Sequence, residues 1–264
     1  MKVAIMTDIE GVAGVVTFEK DSYPTGKYYE DAKKLLTEEV NAAVAGFVEA
    51  GATEVLVMDF HGPGGIAFEV LKSPATLMHG RPLAPMSVWQ SVMKEYDVVA
   101  IVGQHAMAGT AQGDLNHTQS SASIDYIRLN GKNIGELTQF ALISGAYGLP
   151  VILLTGDDAA CREAEEFIPG ISTVAVKRSL GRNSAVSLSA EESRRRIRAG
   201  AKAALLKHKK KAVKPLVWKG PFVLEKRYFH TDTADQHAGS DDVERVDSQT
   251  VRMKGDDILK IIYR

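Results

Sequence analysis

Three strongly apolar segments in the first half of the chain each end in acidic or histidine side chains, close to glycine. Apolar runs of this length are typical of strands that are buried on both faces of a parallel sheet. Ligands of such sheets bind beyond the carboxyl ends of the strands, so the runs predict a ligand site at one edge of the sheet. The runs cover residues 3–10, 55–61 and 98–105, and the polar side chains at their ends are Asp8, Glu10, Asp59, His61 and His105.

The order of strand-like and helix-like segments predicts an α/β fold. A helical pattern over 28–49 lies between the first two apolar runs, which is the order of a right-handed crossover unit. We expect a three-layer, mostly parallel sheet in a metal-binding catalytic domain at 1–159. A second, smaller α/β region at 160–264 would share the core or form oligomer contacts. Further predicted helices cover 86–96, 136–147, 160–167, 190–211 and 256–262, and further predicted strands cover 98–102, 124–129, 151–154, 173–176, 221–227 and 250–253.

The bulk composition argues against several classes of protein. With 264 residues, 45% hydrophobic and 25% charged, the chain is typical of a globular protein, and its net charge of -1 provides no general attraction to nucleic acid or to a membrane. Its single cysteine, Cys161, can form neither an intramolecular disulfide nor a cysteine zinc site. The first residues reach Asp8 too soon for a signal peptide, and no apolar stretch is long enough to span a bilayer. We therefore expect a cytoplasmic protein.

Two basic runs, at 194–198 and 207–211, raise the question of nucleic-acid binding. Acidic Glu191 and Glu192 precede them, apolar residues interleave with them, and no aromatic residues accompany them as stacking platforms. The pattern favours the solvated face of a long helix.

The strand ends carry the ligand types of a transition-metal site. Asp8 and Glu10 are two residues apart, so their carboxylates share a face if the strand continues, and their repulsion favours a bound cation or a shared proton. Oxygen and imidazole ligands from several strands suit zinc or another divalent transition metal. Simpler readings stay open, because the acids could form a solvated strand end and His61 could be a buried, hydrogen-bonded histidine. A phosphate cradle in the glycines after His61 is disfavoured, because Pro63 lacks an amide donor and the pattern is not a P-loop.

Four further polar residues each have more than one reading. His117, in a polar loop, could be a ligand, a general acid or an exposed histidine. Glu136 could be a ligand or a favourable acid in the first turn of a helix. Asp157 and Asp158 follow an apolar strand and could cap the next helix, or one of them could bind the amino group of a substrate. Taken with the strand ends, the pattern predicts a metal-dependent hydrolase.

Five motifs in this order and spacing resemble the D-aminopeptidase family of zinc peptidases. The likeness continues through 151–158, 164–169 and 175–177, and it weakens after residue 215. The motifs are Asp8-Ile9-Glu10-Gly11-Val12-Ala13-Gly14, Asp59-Phe60-His61-Gly62, Gly103-Gln104-His105-Ala106, Asn116-His117-Thr118 and Gly135-Glu136-Leu137.

The resemblance implies a set of metal ligands. Two zinc ions per subunit are expected, with Asp8 as the bridging ligand. Glu10 and His61 would complete the site of one ion. His105 and Glu136 would complete the site of the other.

The resemblance also implies a catalytic role for His117 and self-association into a large ring-like homo-oligomer, which would admit only short peptides. One position departs from the family, because Phe60 stands where serine is usual. The substitution removes a hydroxyl beside His61 and makes that side of the pocket more apolar.

The function predicted from the sequence is that of a zinc-dependent aminopeptidase, which releases the N-terminal residue, D-Ala for example, from short peptides through a metal-activated water. His117 would protonate the leaving amine or stabilise the tetrahedral oxyanion, with nucleophilic attack as a third role. One alternative is a metal-dependent amidohydrolase or phosphoesterase with a non-peptide substrate, although no ligand motif carries an Arg or Lys for phosphate. Another is a non-catalytic peptide-binding accessory of dipeptide transport, which would have to be exported.

Overall fold

The computed structural model describes residues 1–264, and its strands form two sheets. The strands are β1 (Lys2–Thr7), β2 (Glu54–Asp59), β3 (Ala75–Met78), β4 (Val98–Gln104), β5 (Ile124–Leu129), β6 (Lys132–Asn133), β7 (Val151–Asp157), β8 (Ser172–Gly181), β9 (Ser184–Ser187), β10 (Phe222–Tyr228), β11 (Val243–Arg245) and β12 (Thr250–Gly255). The main sheet has the order β3–β2–β1–β4–β7–β8–β9, and only the β8–β9 pair is antiparallel. This sheet confirms the predicted mostly parallel α/β fold.

The central strands are apolar because both of their faces are covered. Val3 of β1 lies opposite Val55 on one side and Val98 on the other, and all three side chains are fully or nearly fully buried. Parallel strands covered on both faces need this unbroken hydrophobicity, which is why the sequence pattern predicts them well.

Helices connect the strands and cover the main sheet. Helices α1 and α5 pack on each other and on the sheet, which buries Val40 and Phe47 of α1 and Ile197 and Ala201 of α5. No helix combines the length and the hydropathy that a membrane crossing requires. The helices are α1 (Tyr29–Glu49), α2 (Met86–Met93), α3 (Glu136–Ala146), α4 (Asp158–Phe167), α5 (Ala190–Lys210), α6 (Thr231–His237) and α7 (Ile258–Ile261), with a π-helical turn at Phe18–Ser22 and a 3-10 turn at Phe68–Val70.

The basic residues of α5 form ion pairs on its exposed side. Arg195 and Arg196 each lie 2.7 Å from Glu192 of the same helix, and Arg198 pairs with Glu49 of α1. Several arginines of the basic run are therefore already paired with carboxylates of the same chain.

The second sheet is antiparallel and has the order β11–β12–β10–β5–β6. Strand β5 comes from the region 1–159, whereas β10 and β12 come from the region 160–264. The main sheet also combines both regions, because β7 pairs with β8. One continuous hydrophobic core contains buried residues of both. The division at residue 160 therefore stays a prediction.

Several elements have no counterpart in the sequence prediction: β3, β6, β9, β11, α6, the π-helical turn and the 3-10 turn. Strand β3 is at the sheet edge, and its residues are half-buried or exposed, so it lacks an apolar run. Strand β9 extends the sheet as the second half of a hairpin with β8, which is longer than predicted. The π-helical turn lies in a polar stretch whose residues carry no regular hydrophobic period.

Candidate metal centre

Three neighbouring strand ends bring ligand side chains together. Asp8 and Glu10 follow β1, His61 follows β2 and His105 follows β4, and β1 lies between the other two strands. The amide of Asp8 donates to the carbonyl oxygen of Val102 at 2.9 Å, which extends the β1–β4 ladder to the first candidate ligand. The adjacent strands therefore confirm the expectation that the ends meet at one sheet edge.

A close crossing of main chains depends on a glycine at the end of β4. Gly103 has φ +81, and a Cβ at this position would overlap the carbonyl oxygen of Asp8. Glycine supplies both the left-handed conformation and the space for this approach.

Asp8 lies between two imidazoles and directs a different oxygen at each. Its Oδ1 is 3.1 Å from His61 Nδ1, and its Oδ2 is 3.2 Å from His105 Nε2. Glu10 Oε2 is 3.2 Å from the same His61 nitrogen. All four side chains are buried, so their charges interact strongly.

Glu136 and His117 complete the cluster from two other elements. Glu136 is the first residue of α3, and its Oε1 lies 3.6 Å from His105 Nε2 and 3.7 Å from His117 Nε2. The rings of His105 and His117 stack with centroids 3.9 Å apart. The structure thus brings together all six side chains that the sequence analysis assigned to the metals and the catalytic histidine.

Each histidine of the cluster is held by a main-chain carbonyl at its other ring nitrogen. His61 Nε2 donates to the carbonyl oxygen of Ser22 at 3.0 Å, His105 Nδ1 to that of Ala106 at 2.9 Å, and His117 Nδ1 to that of Leu115 at 2.9 Å. A carbonyl oxygen can only accept, so these contacts place a proton on the nitrogen that points away from the cluster. The nitrogens that face the carboxylates are then free to bind a cation. This arrangement is typical of histidines that bind metals.

The carboxylates of the cluster favour positive charge on the neighbouring imidazoles. Burial opposes ionisation of Asp8, but hydrogen bonds from His105 and His61 outweigh it and hold the pKa of Asp8 well below its usual range. Burial opposes the charged form of His105, but Asp8 and Glu136 raise its pKa to about 10. The pKa of His61 is raised in the same way, because Glu10 and Asp8 outweigh its burial. Metal binding would replace these protons with a more concentrated positive charge.

His117 differs from the other two histidines. Burial, followed by the charge on His105, lowers its pKa below the usual value. It is also less buried than His105, with 12% of its side chain exposed against 1%. The ring therefore lies at the boundary between the cluster and the cavity.

The donor set fits a zinc site. Ligand atoms of Asp8, Glu10 and His105 all lie within 4.8 Å of one another, and so do those of His105, His117 and Glu136. Glu10 Oε2 and His105 Nε2 are buried without a hydrogen bond of good geometry, although each lies 3.2 Å from a neighbouring charged group. Carboxylate oxygens and imidazole nitrogens are ligands that zinc prefers. The two sets of donors share His105.

Residues that the sequence analysis did not single out hold the ligands in place. Ser22, at the end of the π-helical turn, donates from its hydroxyl to Glu10 Oε1. The amide of Gln119 donates to Glu136 Oε1 at 2.6 Å. Their only sequence signal is membership of polar loops, which many unrelated residues share.

Asp157 and Asp158 do not join the cluster. Asp157 is fully buried and caps α4, because its Oδ1 accepts from the amide of Ala160 at 2.6 Å. Asp158 accepts from the amide of Ser179 at 2.8 Å and pairs with Arg162. Neither aspartate lines the cavity beside the cluster. The helix-capping reading from the sequence therefore describes Asp157, and neither side chain is placed to meet a substrate.

A cavity of about 570 Å³ opens beside the cluster. One wall carries Asp8, Glu10 and Glu136, and Tyr263 enters from the end of the chain. Burial and the negative charges of Glu136 and Asp8 raise the pKa of the Tyr263 phenol. The remaining lining residues are Met6, Ser22, Tyr23, Phe60, His61, Gly62, Pro63, His117, Gln119, Ser120, Ser121 and Ala122.

Comparisons with known proteins give a consistent result. A family model described as D-aminopeptidase matches residues 1–263. A D-aminopeptidase of Bacillus subtilis (strain 168) is 33% identical over 219 residues, which are 82% of this chain and 77% of that protein. The solved structure of the Zn-dependent D-aminopeptidase DppA from Bacillus subtilis, a self-compartmentalizing protease, matches with a TM-score of 0.90 and 29% identity. That match covers 100% of this chain and 94% of the other, so the likeness in fold extends over the whole molecule.

Proposed function

Because the chain belongs to the D-aminopeptidase family, we propose that it uses zinc to release the N-terminal residue, D-Ala for example, from short peptides. The chain is an aminopeptidase, and therefore a peptide-bond hydrolase.

The observation that carries the proposal is the orientation of the three histidines. His61, His105 and His117 each donate one ring nitrogen to a main-chain carbonyl and direct the other nitrogen at carboxylates. If the acidic residues only formed a solvated strand end, the three imidazole rings would not need to be fixed in this way. Histidines that are merely buried would not all direct a free nitrogen at neighbouring carboxylates.

The proposed ligands are Asp8 as the bridge, Glu10 and His61 for one zinc ion, and His105 and Glu136 for the other. Asp8 supports the bridging role, because each of its oxygens faces a different histidine. Zinc bound there would supply an acidified water and polarise the scissile carbonyl. The protein's part is to hold five ligands rigidly in a buried cluster.

His117 is proposed as the residue that moves a proton. Hydrolysis adds hydroxide to the carbonyl carbon and a proton to the leaving nitrogen as the C–N bond breaks. His117 lines the cavity and directs Nε2 at Glu136, and this nitrogen is proposed to take a proton from the attacking water and then to pass it to the leaving nitrogen. Its ring is fixed by the Leu115 carbonyl and by stacking on His105, which keeps Nε2 directed inward.

The cavity supports a small substrate. Its volume of about 570 Å³ lies within the range of small-molecule sites, which is about 300–1,000 Å³. Tyr23 and Ser121, which line it from two loops, join through their hydroxyls at 2.8 Å. This bridge restricts one side of the cavity, which agrees with a preference for short peptides.

Self-association into a ring-like homo-oligomer is the proposed assembly. The match to a self-compartmentalizing protease over 100% of the chain supports it. Light scattering of the purified protein would measure the mass; a stable monomer would contradict this part of the proposal.

The activity is tested with two dipeptides, D-Ala-D-Ala and L-Ala-L-Ala, and zinc-loaded protein. We expect faster release of alanine from the D-dipeptide, and equal rates would defeat the D-selective claim. His117→Ala should retain zinc and lose at least about 10²-fold in kcat, because general acid catalysis contributes about 10²–10⁴-fold. His230→Ala is the control, because His230 is an exposed histidine outside the cavity. A His117→Ala variant with the kcat of the wild type would remove this residue from the mechanism.

A further inference from the structure

Tyr263 is a cavity residue that arises from the far end of the chain. It lines the same cavity as Asp8, His117 and Glu136, although α7 and the residues after it are distant from all of them in sequence. Its side chain therefore faces the same space as the carboxylates of the cluster, and burial together with the charges of Glu136 and Asp8 raises the pKa of its phenol. The mechanism proposed above does not use this side chain.

The main chain beside Tyr263 is firmly held. Asp257 caps the start of helix α7, because its Oδ1 accepts from the amide of Leu259 at 3.0 Å. Ile262 is buried, and its carbonyl oxygen accepts from Gln139 Nε2 at 2.9 Å. Gln139 lies three residues after Glu136 on α3, so one helix positions both a candidate ligand and the segment that carries Tyr263.

A chain of polar side chains extends this support. Gln119 Nε2 donates to Gln139 Oε1 at 3.2 Å, and the buried Lys226 donates to Gln119 Oε1 at 3.1 Å. The main-chain amide of Gln119 donates to Glu136. The main chain that carries Tyr263 is thus held by a hydrogen-bond network that does not depend on the substrate.

The phenol of Tyr263 forms no hydrogen bond with any group of the protein. The other hydroxyls on this wall are engaged with protein partners, since Ser22 donates to Glu10 and Tyr23 bonds to Ser121. Ionised carboxylates can only accept hydrogen bonds, so the cluster side of the cavity is rich in acceptors. The free hydroxyl of Tyr263 is therefore suited to donate a hydrogen bond to an oxygen of the substrate.

We propose that Tyr263 is a catalytic residue, whose phenol donates a hydrogen bond to the scissile carbonyl oxygen as that oxygen gains negative charge. This role rests on the proposed aminopeptidase function. The phenol keeps its proton throughout, and His117 supplies the proton of the leaving amine, so the atoms of hydrolysis balance. Donors held in place in advance stabilise a developing oxyanion more than they stabilise the ground state.

The test is Tyr263→Phe, which removes one oxygen atom and leaves the ring. Tyr228→Phe is the matched control, because Tyr228 is buried, has no hydrogen-bond partner for its phenol, and lies outside this cavity. With D-Ala-D-Ala, Tyr263→Phe should lose about 10²-fold in kcat with little change in KM, and Tyr228→Phe should match the wild type.

A binding measurement separates catalysis from a structural role. A phosphinic analogue of the dipeptide mimics the tetrahedral state, and its affinity for Tyr263→Phe should fall by about the same factor as kcat. The affinity for the product D-Ala should not change. An unchanged kcat, or equal losses of affinity for analogue and product, would overturn the role of Tyr263. A wild type without dipeptide activity would instead defeat the aminopeptidase proposal, and the role of Tyr263 with it.

Discussion

The Nζ atom of Lys177 donates to the carbonyl oxygen of Glu10 at 2.5 Å. Lys177 lies on β8 and is almost completely buried. It also donates to the carbonyl oxygen of Val15 at 2.5 Å and to Asp114 Oδ2 at 2.6 Å. One ammonium group therefore joins the loop of a candidate zinc ligand to the segment that leads to His117.

Replacement of this lysine should weaken the fold and the metal site together. Lys177→Met leaves Asp114 as an unpaired buried charge, which should lower the free energy of unfolding by about 3–5 kcal/mol. Urea unfolding and zinc content measure the two effects. Lys210→Met is the control at an exposed lysine, where a change within about 0.5 kcal/mol is expected. Equal stabilities of the two variants would show that the buried ammonium does not support the loop.

The buried carboxyl group of Glu39 should make the free energy of unfolding fall as the pH rises. Its carboxylate accepts from the amide of Ala13 and the hydroxyl of Ser193, and burial raises its pKa from 4.5 to about 7. Between pH 4.5 and about pH 7 the folded state therefore keeps a proton that the unfolded state has released. The free energy of unfolding is highest below pH 4.5 and falls as the pH rises to about 7. The loss in this window should reach about 3 kcal/mol.

The variant Glu39→Gln isolates that effect, because an amide does not titrate. Urea unfolding from pH 5 to pH 8 should show the variant gaining stability relative to the wild type as the pH rises. Glu191→Gln is the control at an exposed helix position and should keep a constant difference. A constant difference for Glu39→Gln as well would mean that Glu39 does not titrate in this range.

Phe60 should contribute to stability and to the shape of the cavity. Its ring packs edge-on against Trp89 at 5.1 Å and against Phe140 at 5.6 Å, and it lines the cavity. Phe60→Ser, which installs the residue usual in the family, should cost about 3 kcal/mol in the free energy of unfolding, because these contacts are lost. Phe68→Ser, at a residue that is 64% exposed, is the control. Similar losses in both variants would contradict the packing role.

Much of the fold follows from the sequence, because buried parallel strands need unbroken apolar runs. The runs at β1, β2, β4 and β7 predict those strands, and the ligands at their ends follow from the geometry of a parallel sheet. Pairing between distant segments does not follow, because β5 and β10 are far apart in sequence and each has only its own local pattern. The cytoplasmic location and the two-region division stay predictions.

The supporting residues of the site are harder to predict. A lysine in a strand is usually solvated, so only the folded structure shows that Lys177 is buried against Asp114 and Glu10. The position of Tyr263 is equally hard to predict from the sequence, because it depends on the contact between Gln139 and Ile262. Side chains that contact the substrate or metal directly have recognisable chemistry, whereas side chains that position them depend on long-range packing.

Zinc content of the purified chain, measured by elemental analysis after dialysis, tests the metal centre most directly. The wild type should contain two equivalents of zinc, and Asp8→Ala should lose both, because Asp8 is the proposed bridge. Asp241→Ala, at an exposed aspartate, should retain both. Retention of both zinc equivalents by Asp8→Ala would contradict the proposed metal centre.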